Sequence, residues 1–207
     1  MLSSYTLNIF ATEYLHNKKT TLSLIKQYEK NLNLDEASSS LARYKAAKTE
    51  AFLKSITDYS HLNRKESQAL GKLFYKLGTF YTHVAHEPDL AINKMILADA
   101  FLTDKKDKAW NYNHLAYAYE QKFAAYKQDS DKEHATAYLN KVIANLYANA
   151  KTKEVAFAYC VKGLLLKDEK YDLLAELSFR ISTEIYQSLP DTARYKNKKH
   201  ITGKCSL

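Results

Sequence analysis

The chain has 207 residues, and its 31 Lys and Arg outnumber its 23 Asp and Glu, which gives a formal net charge of +8. It contains only 4 Gly and 2 Pro but 17 Tyr, and 46% of its residues are hydrophobic. Such a chain can bury a core, is too apolar to be disordered throughout, and lacks the frequent turn residues of a β-sandwich. Its two cysteines, Cys160 and Cys205, are too few for a disulfide framework.

The two ends of the chain carry no recognisable targeting signal. Residues 1–10 have neither a basic start nor a long apolar run, so we expect no secretory signal. Cys205 is third from the C-terminus, whereas prenylation requires a cysteine in fourth place. No stretch reaches the roughly 20 apolar residues that cross a bilayer. We therefore expect a soluble, cytoplasmic protein without a transmembrane segment.

Helical spacing of apolar residues begins near the N-terminus. Two short amphipathic helices are predicted over residues 4–16 and 20–31. Asp35 is a suitable N-cap for a third helix, which extends to Ile56.

Capping residues mark the next helix starts. Asn63 is a good N-cap, and Glu66, three residues later, completes a capping box. Pro88 fits the first turn of the following helix, where a backbone N–H is dispensable. Asp107 precedes a long helix.

Three further helices complete the prediction. Asp129 or Ser130 starts the first of them, Thr152 starts the second, and Asp168 separates that helix from the last, which stops before Pro190. The apolar residues of the last helix are Leu173, Leu174, Leu177, Ile181 and Ile185. About nine helices with short connections favour antiparallel neighbours, so the predicted fold class is all-α.

Large and small residues recur at similar spacings in three stretches between residues 67 and 190. The first stretch contains Phe74, Leu77, Gly78 and Tyr81, followed by Ala91, Met95 and Ala98. The second contains Tyr112, Leu115, Ala116, Tyr119, Ala135, Leu139 and Val142, and the third Tyr159, Gly163, Ala175, Phe179 and Ser182. Over residues 67–190 the pattern resembles divergent tetratricopeptide repeats, in which small residues let two helices cross closely.

The repeat spacing is irregular. Gly78, Ala116 and Gly163 are 38 and 47 residues apart, whereas the regular repeat has 34. The second repeat therefore needs longer helices or a looped insertion around residues 127–132. A non-repetitive helical bundle with the same alternation of large and small residues is the alternative.

The resemblance implies antiparallel helical hairpins stacked as a right-handed solenoid, with the first helix of each repeat on a concave face. A peptide or partner helix would bind there, because the face combines aromatic side chains with amides. The implied partner-binding residues are Tyr75, Thr79, Trp110, Asn113, Tyr117, Gln121, Phe157 and Leu164. Some repeats of this family grip a C-terminal carboxylate with a cationic clamp, which is absent here. The clamp positions hold Tyr75, Thr79, His114, Phe157 and Val161.

We expect three segments. Residues 1–62 form N-terminal helices that cap or extend the stack or occupy its groove, residues 63–190 form the repeats, and residues 191–207 form a basic tail with a net charge of +4 outside the fold. The basic residues of the tail include Arg194, Lys196, Lys198 and Lys199. Such a tail suits contact with nucleic acid or an anionic membrane, or only improves solvation.

The sequence shows no recognisable motif of catalytic residues. Cys160 lies among apolar residues, which is typical of a small core residue, and the glycines form no phosphate-binding loop. Acidic residues three positions before a histidine occur at Glu13/His16, Asp58/His61 and Asp131/His134, and His83 and His86 are equally spaced. A di-iron bundle needs two Glu-x-x-His pairs, and only one is present, which leaves a metal- or cofactor-binding bundle as a third hypothesis.

We therefore expect a non-enzymatic protein–protein interaction module or adapter, without cofactor or metal. A charge-driven nucleic-acid-binding protein that uses the basic tail is the alternative.

Overall fold

The computed structural model describes residues 18–32, 39–56 and 58–190. These residues form eight α-helices and no strand: α1 Lys18–Asn31, α2 Ser39–Ser55, α3 Arg64–Phe80, α4 Pro88–Phe101, α5 Lys105–Tyr126, α6 Asp129–Asn140, α7 Lys153–Asp168 and α8 Asp172–Ser188. Short π-helical turns, Tyr81–Ala85 and Lys141–Leu146, follow α3 and α6. The prediction of an all-α fold is confirmed for this part of the chain. The described helices number eight instead of about nine, because the predicted helix over residues 4–16 lies outside the described residues.

Three helix starts that capping residues predict agree with the structure, whereas α5 begins at Lys105, two residues before Asp107, and Asp35 lies outside the described residues. The side-chain oxygen of Asn63 accepts hydrogen bonds from the N–H groups of Lys65 and Glu66 at 2.9 and 3.1 Å, and the Glu66 carboxylate accepts one from the Asn63 N–H at 2.9 Å. This is the predicted capping box. Pro88 occupies the first turn of α4, and Thr152 caps α7 through a side-chain hydrogen bond.

The chain divides between Asp104 and Lys105 into two compact units. Unit 1 contains α1–α4 and unit 2 contains α5–α8. Within unit 1, α1 and α2 both contact α3. The segments 1–62, 63–190 and 191–207 follow the repeat pattern of the sequence and stay a prediction. The predicted tail, residues 191–207, lies outside the described residues.

The core of unit 1 is built around α3. Its Leu70, Leu73 and Leu77 are fully buried, and α3 packs against both α1 and α4. A Cβ atom on Gly78 would lie 2.6 Å from Cγ of Met95 on α4. The missing side chain therefore lets the two helices approach closely.

Unit 2 consists of two helical hairpins, α5–α6 and α7–α8, with α5 lying against α7. At Gly163 on α7, a Cβ atom would lie 2.5 Å from the ring of Phe179 on α8, so glycine allows the close crossing of this hairpin. Two residues, Lys127 and Gln128, connect the 22-residue α5 to α6. Because α6 begins at Asp129, the looped insertion expected as one alternative around residues 127–132 is not found there.

Candidate protein-binding surface

Three aromatic rings meet on neighbouring helices of unit 2. Trp110 and His114 lie one turn apart on α5, and Phe157 lies near the start of α7. The ring centroid of Phe157 is 5.8 Å from that of Trp110 and 5.2 Å from that of His114, distances typical of favourable aromatic pairs. Phe157 is buried, whereas Trp110 and His114 are half-buried. These three residues are called the aromatic face below. The rings of Trp110 and His114 are partly accessible, and the buried ring of Phe157 packs against both of them.

A buried hydrogen bond fixes α5 against α7 beside the aromatic face. The side-chain Nδ2 of Asn113 donates to the backbone carbonyl oxygen of Glu154 at 2.8 Å, and Asn113 is 0% exposed. Burying an amide is costly unless it is hydrogen-bonded, so this bond favours one arrangement of the two helices. The neighbouring hairpin has a similar connection, because the Ser182 hydroxyl of α8 donates to the Ala156 carbonyl of α7 at 2.6 Å.

The six residues that the sequence placed on the concave face of unit 2 fall into two groups. Trp110, Gln121 and Leu164 are half-buried and keep accessible side chains. Asn113, Tyr117 and Phe157 are buried. Helix packing covers these three side chains, which support the surface from beneath, and their contact with a partner stays a prediction.

His114 is the member of the aromatic face that the sequence reasoning did not select. The sequence points to His114 only as the residue at a position where other repeats of this family carry a cationic side chain. The signal that would have found it is its spacing of four residues from Trp110, which places both rings on one side of α5.

The two predicted site residues of unit 1 are both on α3. Tyr75 is half-buried and packs against the core of that unit. Thr79 is buried, and its hydroxyl donates to the Lys76 carbonyl at 2.7 Å. The assignment of Thr79 to a binding surface stays a prediction, and in the structure its side chain is covered by helix packing.

A separate cavity of about 560 Å³ opens in unit 2 between the end of α6 and the α7–α8 hairpin. Its lining combines apolar side chains, among them Ile143, Val155 and Ile181, with Lys151 and Glu184. None of the predicted site residues lines it. The lining residues come from the π-helical turn after α6, the loop that follows it, α7 and α8, so no regular spacing in the sequence reveals them.

Unit 1 contains a polar cluster between α2, the turn after α3, and α4. The Lys94 ammonium lies 2.8 Å from the Glu50 carboxylate, and the Tyr81 hydroxyl donates to the same carboxylate at 3.1 Å. Burial of the phenol, together with the negative charge of Glu50, raises the pKa of Tyr81 above its ordinary value of 10.0. The cluster connects three segments of the unit, which favours a structural role.

The histidine pairs singled out in the sequence differ in the contacts that they make. His61 lies 3.2 Å from the Asp58 carboxylate in an exposed pair. Asp131 pairs with Lys122 at 3.6 Å, while His134 Nδ1 lies 2.6 Å from the Ser130 carbonyl oxygen. In residues 18–32, 39–56 and 58–190, no group of three or more His, Cys, Asp or Glu side chains is arranged to hold a metal ion. Glu13 and His16 lie outside this part of the chain.

Cys160 is buried on α7, as expected for a small core residue. A reactive thiolate, by contrast, needs access to solvent.

Within the described part of the chain, no helix is both long enough and apolar enough to span a membrane. The basic residues proposed to contact nucleic acid, Arg194, Lys196, Lys198 and Lys199, lie outside it. Comparison of the chain with protein-family models, curated proteins and solved structures finds no match.

Proposed function

We propose that this chain is a non-enzymatic interaction module and that unit 2 binds a peptide or a partner helix at the aromatic face. The observation that carries the proposal is the pair of half-buried rings, Trp110 and His114, packed on the buried ring of Phe157. Tryptophan is among the residues that contribute most to binding at protein interfaces, above all where neighbouring groups exclude water. Two adjacent helices also offer a shallow groove suited to an extended or helical segment.

The tetratricopeptide-like architecture belongs to the same proposal. Its support in unit 2 is the pairing of α5 with α6 and of α7 with α8, together with the contact between α5 and α7. Gly163 stands where a small residue of such a repeat permits the close crossing, and Phe179 fills the space opposite. In such a repeat, α5 and α7 would be the first helices and would carry the partner-binding surface.

Selection of peptides from a displayed random library on the full chain tests the proposal. Trp110 is the only tryptophan, so its fluorescence reports on the aromatic face alone. We expect a selected peptide to change that fluorescence. Calorimetry should show that Trp110→Ala weakens the binding of the same synthetic peptide about tenfold or more, because truncation of a central aromatic anchor typically costs more than 1 kcal/mol.

Tyr126→Ala is the matched control, since Tyr126 is an aromatic residue on the same helix with 65% of its surface exposed and no place in the aromatic face. Its peptide affinity should equal that of the parent protein. Circular dichroism should show unchanged helicity for both variants. Peptides whose affinity survives both Trp110→Ala and His114→Ala would contradict the assignment of the binding surface.

A further inference from the structure

The cavity of unit 2 has the size and the lining of a small-molecule site. Its volume of about 560 Å³ lies within the roughly 300–1,000 Å³ that is typical of ligand pockets. Its large side chains are aliphatic and aromatic, namely Ile143, Tyr147, Val155, Tyr159, Ile181 and Ile185. Val155 and Ile185 are buried and belong to one hydrophobic cluster. The cavity therefore lies against the apolar core of the α7–α8 hairpin.

Hydrogen bonds hold the loop that forms one wall of the cavity. The N–H of Tyr147 donates to the Val142 carbonyl oxygen at 3.0 Å, and the N–H of Ala150 donates to the Tyr147 carbonyl oxygen at 2.9 Å. Between them, Asn149 has a φ of 59°, in the left-handed region that asparagine adopts more readily than most residues. Because backbone hydrogen bonds fix this loop, a ligand enters a cavity that is already formed, which lowers the cost of binding.

Three lysines lie at the cavity or beside the side chains that line it. Lys151 is itself a lining residue and is exposed. The Lys105 ammonium lies 4.6 Å from the ring centroid of Tyr147, and the Lys162 ammonium lies 5.9 Å from the ring centroid of Tyr159. Because both rings line the cavity, all three cations contribute a positive potential there, which attracts anions.

The acidic residue of the lining, Glu184, does not reverse this balance of charge. Its carboxylate lies 3.8 Å from Nε of Arg180 on the same helix, so a further cation accompanies it. A cationic ligand would meet tyrosine rings that lysines already flank. Residues 191–207 of the chain are an unsuitable occupant for the same reason, since they contain five basic residues and one acidic residue. The charges therefore favour an anion.

We propose that this cavity binds a small amphipathic anion, an apolar chain that ends in one carboxylate. The chain lies among the aliphatic side chains, where it is removed from water, and the carboxylate stays at the rim beside Lys151. An exposed rim position leaves the carboxylate partly hydrated and avoids the cost of burying a charge. This site goes beyond peptide binding at the aromatic face and does not depend on it.

Calorimetric titration of the full chain with decanoate, below the concentration at which decanoate forms micelles, tests the site. We expect saturable binding that is at least tenfold tighter than that of decyltrimethylammonium, which has the same chain and a cationic head. Lys151→Ala should weaken decanoate binding about threefold, because exposed ion pairs contribute modestly. Lys167→Ala is the matched control, since Lys167 is an exposed lysine in the last turn of α7 that does not line the cavity.

A bulky side chain in the lining tests the location of the bound chain. Ile181→Trp should weaken decanoate binding at least tenfold, because the indole ring takes up space in the cavity, whereas Leu173→Trp, at an exposed position of the same helix, should bind like the parent protein. If circular dichroism shows altered helicity for Ile181→Trp, the comparison of Lys151→Ala with Lys167→Ala decides.

Three results would overturn the proposal: no saturable binding of decanoate, equal affinity for decanoate and decyltrimethylammonium, or decanoate binding that both Ile181→Trp and Lys151→Ala leave unchanged. Trp110→Ala should not alter the affinity for decanoate, since Trp110 does not line the cavity. A failure of this site is therefore distinguishable from a failure of the aromatic face.

Discussion

The side-chain amide of Asn113 donates a hydrogen bond across 2.8 Å to the backbone carbonyl oxygen of Glu154. The two residues are 41 positions apart in the chain and lie on α5 and α7. The bond is buried beside Trp110 and Phe157, so it connects the two helices that carry the aromatic face. A residue that the sequence suggested as a partner contact thus stabilises the surface from within.

Replacement of Asn113 by Ala should destabilise unit 2 by about 1 to 2 kcal/mol, because a buried hydrogen bond is lost and a small cavity forms. The substitution also removes Asn113 Oδ1, a buried oxygen that accepts no hydrogen bond from described residues. Removing this oxygen is favourable, which limits the loss in the free energy of unfolding. Urea unfolding followed by Trp110 fluorescence measures the effect within unit 2. Asn145→Ala, at an exposed position of the same unit, is the control, and an equal effect of both variants would argue against a role for the buried bond.

Replacement of Gly163 by Ala should destabilise the protein by about 1 to 2 kcal/mol. The added methyl group would lie 2.5 Å from the rigid ring of Phe179, and the cost of that overlap exceeds the gain in helix propensity. Gly78→Ala should be costly too, because its methyl group would lie 2.6 Å from Cγ of the fully buried Met95, close to the main chain of α4. Thermal unfolding by circular dichroism compares both variants with the parent protein, and a variant as stable as the parent would contradict the close crossing at that glycine.

Replacement of Asn63 by Ala should cost about 1 kcal/mol, because the first turn of α3 loses the acceptor for two backbone N–H groups. Asn63→Asp should retain most of the stability, since a carboxylate accepts the same bonds at the positive end of the helix. Chemical denaturation followed by circular dichroism provides the measurement. Equal stability of the Ala and Asp variants would show that the capping box contributes little.

The raised pKa of Tyr81 predicts loss of stability at alkaline pH. An acid whose pKa is higher in the folded than in the unfolded state contributes stability that is complete below the unfolded value, about 10, and declines as the pH rises above it. We expect Tyr81→Phe to unfold with a weaker dependence on pH above 10 than the parent protein, while Tyr126→Phe keeps the parent dependence. Part of the decline should remain, because burial also raises the pKa of Tyr59. Identical curves for Tyr81→Phe and the parent protein would contradict this role of the Tyr81 environment.

Local signals in the sequence predicted the helices well. The capping box at Asn63 and Glu66, the proline in the first turn of α4 and the cap at Thr152 all depend on neighbouring residues, and the structure agrees with each of them. The crossing residue Gly163 was also selected from the sequence alone, because a close helix crossing requires a small side chain.

Which side chains are exposed to solvent depends on how the helices pack against one another. The sequence grouped Leu173, Leu174 and Leu177 with Ile181 and Ile185 as the apolar residues of one helix, but α7 packs on the side of α8 that carries Ala175, Ser178 and Phe179, so the three leucines face outward. Conversely, α5 and α7 meet at Asn113 and bury it, although its polarity suggested an exposed position. Helix formation is decided within a few residues, and the sequence by itself therefore determined the all-α class and the helix starts at Asn63, Pro88 and Thr152. Which side of a helix is covered is decided by residues tens of positions away, and only the tertiary structure settled which side chains form the surface.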